Sequence, residues 1–143
     1  MTTPKHVLLV TNSVTSEELS LIKDSLNRAK QENMPIKLSL VHVIPNLPTC
    51  YFNIPSMVVL AERYYDEAKT YLTTVGETLG VSKQDQWLIT GRMKSEVLRL
   101  ASKLRASFIL ASSSSIQDLH KTFFVKKTNS TTIIRNINSI VSL

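Results

Sequence analysis

The chain reads as an α/β protein, a three-layer α/β/α sandwich around a five-stranded parallel sheet, and two observations predict it. Short apolar, β-branched runs alternate with segments of helical period from end to end, which requires crossover connections between parallel strands. The clearest run, Phe108-Ile109-Leu110-Ala111, breaks abruptly into the four serines 112–115, as a buried parallel strand does on meeting its loop. In an open sheet of this kind the loops at the carboxyl ends of central strands form the ligand crevice. Ser112 and Ser115 therefore fall where a phosphate would bind, although phosphate-cradling loops generally use glycine and this one has none.

The elements follow in order. Residues 5–11 (KHVLLVT) form a buried strand that Asn12 and Ser13 end. Thr15 and Glu18 have capping-box spacing and open a helix with Leu19, Ile22, Leu26 and Ala29 on one face, closed by Asn33 and Pro35. Residues 36–43 (IKLSLVHV) give a second strand, and residues 44–55, with Pro45, Pro48 and Pro55, a long loop. A helix over 56–79 carries Met57, Ala61, Tyr64, Ala68, Tyr71, Leu72 and Val75 at helical spacing, and Gly80 stops it. Tyr64, Tyr65 and Tyr71 are expected to pack that helix rather than to form a ligand box. Residues 86–90 (QWLIT) are the third strand, 94–104 the third helix and 108–111 the fourth strand. An irregular stretch over 116–129, a short helix with Ile133, Ile134 and Ile137, and a fifth strand from Ser139 to Leu143 complete the chain. No repeat or linker divides it, so residues 1–143 are expected to be one domain. An apolar edge strand invites pairing with a second chain, so a homodimer through residues 139–143 is expected.

Composition narrows the function classes. The hydrophobic fraction of 43% and charged fraction of 20% are those of an ordinary globular protein, and every apolar run is strand-sized, which excludes a membrane span. No signal-peptide pattern precedes the first strand, so a cytoplasmic location is expected. Cys50 is the only cysteine, which rules out an intrachain disulfide and a cysteine metal cluster. Residues 1–91 hold 8 lysines and arginines against 9 acids, whereas residues 92–143 hold 9 against 2. A basic half suits an anionic partner, yet only Phe108, Phe123 and Phe124 are aromatic there, so nucleic acid is not expected.

Catalysis has thin support. No H-E-x-x-H, G-x-S-x-G or paired-carboxylate pattern occurs, and no catalytic or metal-ligating set is assigned. A serine of the tract with His42 as base would lack a third orienting group, and His42 reads as a packed or hydrogen-bonded histidine. The P-loop and the dinucleotide G-x-G-x-x-G are absent; Gly76, Gly80 and Gly91 are the only glycines and lie elsewhere. Anion binding by the serine tract with Lys126, Lys127 and Thr128 is the remaining polar-site reading.

Together the residues resemble the universal stress protein family over essentially the whole chain. The likeness rests on HVLLVTN at residues 6–12, LVHV at 40–43, Gly91 followed by Glu96-Val97-Leu98, ASFILAS at 106–112 and Ile133-Ile134-Arg135-Asn136. It implies a Rossmann-like fold of the adenine nucleotide alpha hydrolase-like kind, strand order 3-2-1-4-5, dimerisation through the C-terminal strand and a cytoplasmic stress-response role without established catalysis. The family's ATP motif, G-x2-G-x9-G-[ST], would place its first two glycines on Ser112 and Ser115. Its third pair falls on Val125-Lys126 by strict spacing, or on Lys127-Thr128 when the closing segment is aligned. Every glycine is missing, and the family's aspartate after the first strand is Asn12, which hydrogen-bonds without a charge.

A non-glycine residue in the left-handed region costs about 1–2 kcal/mol, and two such losses approach about a hundredfold in affinity. The pattern therefore resembles the A-type branch, which lacks the motif and is not expected to bind ATP; Gln117-Asp118-Leu119-His120 loosely matches that branch's QDFW stretch. The expectation is a homodimeric, non-catalytic stress-response protein with no cofactor, acting on protein partners. The rival is an atypical, weak ATP or AMP binder in which Thr11, Asn12 and Val43 flank an adenosine while Ser112, Ser115, Lys127 and Thr128 hold phosphates.

Overall fold

A computed structural model describes residues 5–46, 53–120 and 133–138. Its sheet is five-stranded and entirely parallel, in the order β3-β2-β1-β4-β5. The strands are β1 (Lys5–Val10), β2 (Ile36–Ile44), β3 (Gln86–Thr90), β4 (Phe108–Ala111) and β5 (Ile133–Asn136). The helices are α1 (Ser16–Gln31), α2 (Pro55–Leu79), α3 (Met93–Leu104) and α4 (Ser113–His120). The expected fold class and strand order are those observed.

The two-residue period of β1 divides the core. Val7 and Leu9 pack with Leu38, Leu40, Leu110, Ile22, Leu72 and Val75, under α1 and α2. Leu8 and Val10 face the other way, onto Val41, Val43, Ile109, Val97, Leu100 and Leu119, under α3 and α4. Central strands buried on both faces account for the continuous apolar runs that made them legible.

Each helix starts and stops for a local reason. At α1, Thr15 Oγ1 accepts from the Glu18 N–H at 3.2 Å while Glu18 Oε1 accepts from the Thr15 N–H at 3.0 Å, closing the anticipated capping box. Pro55 supplies a pre-set first turn for α2, and Gly80 (φ 71°) ends it in the left-handed region. Arg105 takes the same conformation after α3 (φ 55°), without glycine's freedom.

Two expectations at the C-terminal end are corrected. The stretch from residue 116, read as irregular, begins inside α4: the Ile116 N–H bonds the Ser112 carbonyl at 2.9 Å, and Leu119, three residues on, is buried. Residues 121–129 lie outside the described residues. The segment with Ile133, Ile134 and Ile137, read as a short helix, is instead strand β5 followed by a turn at Ile137. Ile109 aligns with Ile134 and Leu110 with Arg135 across the β4–β5 pair. Ile134 faces the α3/α4 side, and the Arg135 guanidinium lies 5.2 Å from the Phe108 ring on the other. The fifth strand is thus residues 133–136, not the segment from Ser139 to Leu143, which lies outside the described residues.

Candidate functional site

The carboxyl ends of β1, β2 and β4 converge, and the chain reverses its winding between β1 and β4, where an open α/β sheet offers its crevice. β1 continues past its last residue as a run of polar contacts. The Thr11 N–H bonds Val41 O at 2.9 Å, extending the ladder. The Thr11 hydroxyl, fully buried, donates to Val41 O at 3.3 Å. The same hydroxyl pairs with His42 Nδ1 at 2.8 Å. His42 also meets the Tyr71 ring edge-on at 5.7 Å. Burial lowers the His42 pKa from its ordinary 6.5, so the imidazole is neutral at pH 7.

Asn12 makes a two-point pairing with the backbone of Val43. Its Nδ2 donates to Val43 O at 2.8 Å and its Oδ1 accepts from Val43 N–H at 2.9 Å. A carboxylate could supply only the second of these bonds. On the β4 side, Ser115 donates to the Asn12 carbonyl at 3.0 Å, and the Ser112 hydroxyl lies 3.3 Å from both that carbonyl and Ser115 Oγ. Ser112 and Ser115 are 4% and 2% exposed. Their hydroxyls face the end of β1, while the exposed Ser113 accepts from Asn136 Nδ2 at 2.9 Å.

A cavity lies one strand away, between the ends of β1, β2 and β3 and the first half of α2. This cavity of about 680 Å³ is lined on the sheet side by Asn12, His42, Val43, Ile44, Pro45, Asn46 and Thr90. Its helix side is Ala61, Tyr64, Tyr65 and Ala68. None of these eleven residues carries a formal charge.

The structure therefore separates the expected site residues. Asn12 and Val43 line the cavity; Thr11 lies behind it, on His42; Ser112 and Ser115 are at the β1–β4 junction. Lys127 and Thr128 lie outside the described residues, as does Cys50. Among the described residues His42 bonds Thr11 and none of the serines. No group of three or more His, Cys, Asp or Glu among them could hold a metal, and no described helix is long and apolar enough to cross a membrane.

The reading of the tyrosines is corrected in part. Tyr71 does pack, donating to Val14 O at 2.9 Å, and burial, with the Glu18 charge second, raises its pKa. Tyr64 and Tyr65 are 55% and 47% exposed and line the cavity. Their adjacency was the available signal, since neighbours on a helix point about 100° apart and cannot both follow one buried stripe.

The chain was compared with known proteins. No protein-family model matches it. Universal stress protein A homolog 1 of Coxiella burnetii (strain RSA 493 / Nine Mile phase I) is 36% identical over 76 residues, which cover 51% of this chain and 53% of that protein, so the likeness spans about half of each. Among solved structures, hypothetical protein MJ0577 superposes with a TM-score of 0.62 at 17% identity, over 92% of this chain and 95% of that one. The universal stress protein from Archaeoglobus fulgidus in complex with dAMP gives 0.51 at 14% identity, over 94% and 98%. The structural likenesses establish a Rossmann-like α/β fold, and with the sequence relative they support the universal stress protein family.

Proposed function

We propose that the chain is a universal stress protein of the A-type kind, a homodimeric, cytoplasmic and non-catalytic regulator that works through protein partners and without ATP. One observation carries this reading. Where the family resemblance puts the first two motif glycines, Ser112 and Ser115 turn their hydroxyls onto the Asn12 carbonyl, and the tract becomes the first turn of α4 instead of a phosphate-sized loop. No glycine stands in the tract to shape a nest of convergent N–H groups. The homodimer is proposed through residues 139–143, beyond the edge strand β5, whose outer side pairs with no described strand.

The second reading, an atypical nucleotide binder, has its own support in the A. fulgidus universal stress protein that holds dAMP. In it Asn12 and Val43 contact a nucleoside, and Ser112, Ser115, Lys127 and Thr128 take the phosphates. Denaturing purified protein and chromatographing the supernatant separates the two readings. No co-purified nucleotide is expected; nucleotide near one per chain would establish the second reading. Light scattering on a chain truncated after Ser139 should give monomer, and a persistent dimer would place the interface elsewhere.

A further inference from the structure

We propose that a second cavity, at the amino end of the sheet, binds a zwitterion whose two charges are held apart by an apolar spacer. The site goes beyond the regulatory reading above and lies at the opposite end of the sheet from the β1–β4 junction. It is a space of about 510 Å³ between the second half of α1, the start of β2 and the carboxyl end of α2. That volume falls within the ordinary range for small-molecule sites. One wall is a single stripe of α1, where Lys23, Leu26, Asn27 and Lys30 stand at i, i+3, i+4 and i+7. The other wall runs from Glu77 through the turn at Gly80 to Asp85. Gly80 turns in the left-handed region (φ 71°), and a Cβ added there would meet no atom within 4 Å, so the turn bounds the cavity without filling it.

The two walls differ in sign. α1 contributes two cations and no acid, and the other wall contributes two carboxylates, Glu77 and Asp85, and no cation. Between them Ile36 and Leu38 of β2, with Leu79 and Val81, supply an apolar floor. Lys37, beside that floor, already meets Asp85: its Nζ lies 3.8 Å from Oδ1, while Ser82 Oγ donates to Oδ2 at 3.3 Å. Lys23, Lys30 and Glu77 have no ion-pair partner among the described residues. The last turn of α2 carries no basic residue, whereas that of α1 carries Arg28 and Lys30. The negative end of the α2 dipole therefore adds to the Glu77 charge instead of being offset. A ligand carboxylate at Lys23 and Lys30 and a ligand ammonium at Glu77 would each meet the opposite charge, with the spacer over the apolar floor. A ligand of one sign gains at one wall only.

Three probes on one carbon skeleton test this by amide NMR titration of the full-length chain. At neutral pH 6-aminohexanoate carries both charges, hexanoate only the carboxylate and hexylamine only the ammonium. The zwitterion should give saturable shifts in residues 23–30 and 77–85, with each singly charged probe about fivefold or more weaker. The double variant Lys23→Gln/Lys30→Gln should weaken the zwitterion several-fold and leave hexylamine unchanged. Glu77→Gln should weaken the zwitterion and leave hexanoate unchanged. All three side chains are at exposed positions, so the fold should survive both changes. Hexanoate or hexylamine binding as tightly as the zwitterion would overturn the proposal, as would no saturable shift, or an affinity indifferent to the substitutions. Nucleotide co-purification and oligomeric state bear on the regulatory reading alone, so the two failures are distinguishable.

Discussion

Two regions at the same end of the sheet differ in how they treat their polar groups. At the β1–β4 junction the polar side chains are directed at protein: Ser112 and Ser115 converge on the Asn12 carbonyl, and Asn12 closes on Val43. One strand away, under α2, the walls are largely apolar and aromatic; Asn12 and His42 are held by Val43 and Thr11, while the Asn46, Thr90, Tyr64 and Tyr65 side chains have no hydrogen-bond partner among the described residues. Topology favours the junction as the ligand crevice; there the two buried serines bond the end of β1, and a cavity lies beside β2. A switch point thus marks where a site can form, and the residues present decide whether it does.

The largest effect that would break this contrast is expected at Asn12. Asn12→Ala removes both bonds to Val43 and should cost about 2–3 kcal/mol in urea denaturation, and Asn12→Asp, which keeps the acceptor but sets a carboxylate oxygen against the Val43 carbonyl, should cost at least as much. A loss under about 0.5 kcal/mol for Asn12→Ala would mean that the pairing contributes little. Next come the serines, which share one acceptor. The double variant Ser112→Ala/Ser115→Ala should cost about 1–2 kcal/mol and exceed the sum of the single variants, because either hydroxyl alone still satisfies the Asn12 carbonyl. Additive losses would show that the two act separately.

Ser13 follows Asn12 with φ 60°, a left-handed conformation that suits glycine better. Ser13→Gly should stabilise by about 0.5 kcal/mol, the strain relieved less glycine's extra chain entropy. The smallest effect concerns pH. His42 has a folded pKa below its ordinary 6.5, so beneath that value the unfolded chain binds the proton first. Its contribution is therefore complete above pH 6.5 and declines as the pH falls toward the folded value. His42→Gln should flatten that slope in urea titrations across pH 5–7; an unchanged slope would assign it to other groups.

Much of this was legible in advance, for physical reasons that differ by element. The strands at 5–10, 36–44, 86–90 and 108–111 are apolar, β-branched runs with clear stops, and the Thr15–Glu18 box marks α1 by chemistry rather than propensity. Residues 133–137 misled because Ile133, Ile134 and Ile137 satisfy a helical spacing as well as a short strand, and four residues are too few to arbitrate. The serine tract misled differently. Serine favours both loops and helix starts, and the acceptor that Ser112 meets, the Asn12 carbonyl, lies 100 residues away in sequence. Asn12 and Val43 were found at the site from their place at strand ends. Tyr64 and Tyr65 were not, because a stripe analysis credits Tyr71's burial to its neighbours.

The most direct test of the contrast is an amide NMR titration of the ¹⁵N-labelled full-length protein with magnesium ATP, following residues 112–115. The closed junction predicts that these amides stay in place up to millimolar nucleotide. Saturable shifts of the serine amides at micromolar ATP would contradict it, and would show that a glycine-free helix start at this switch point still grips phosphate.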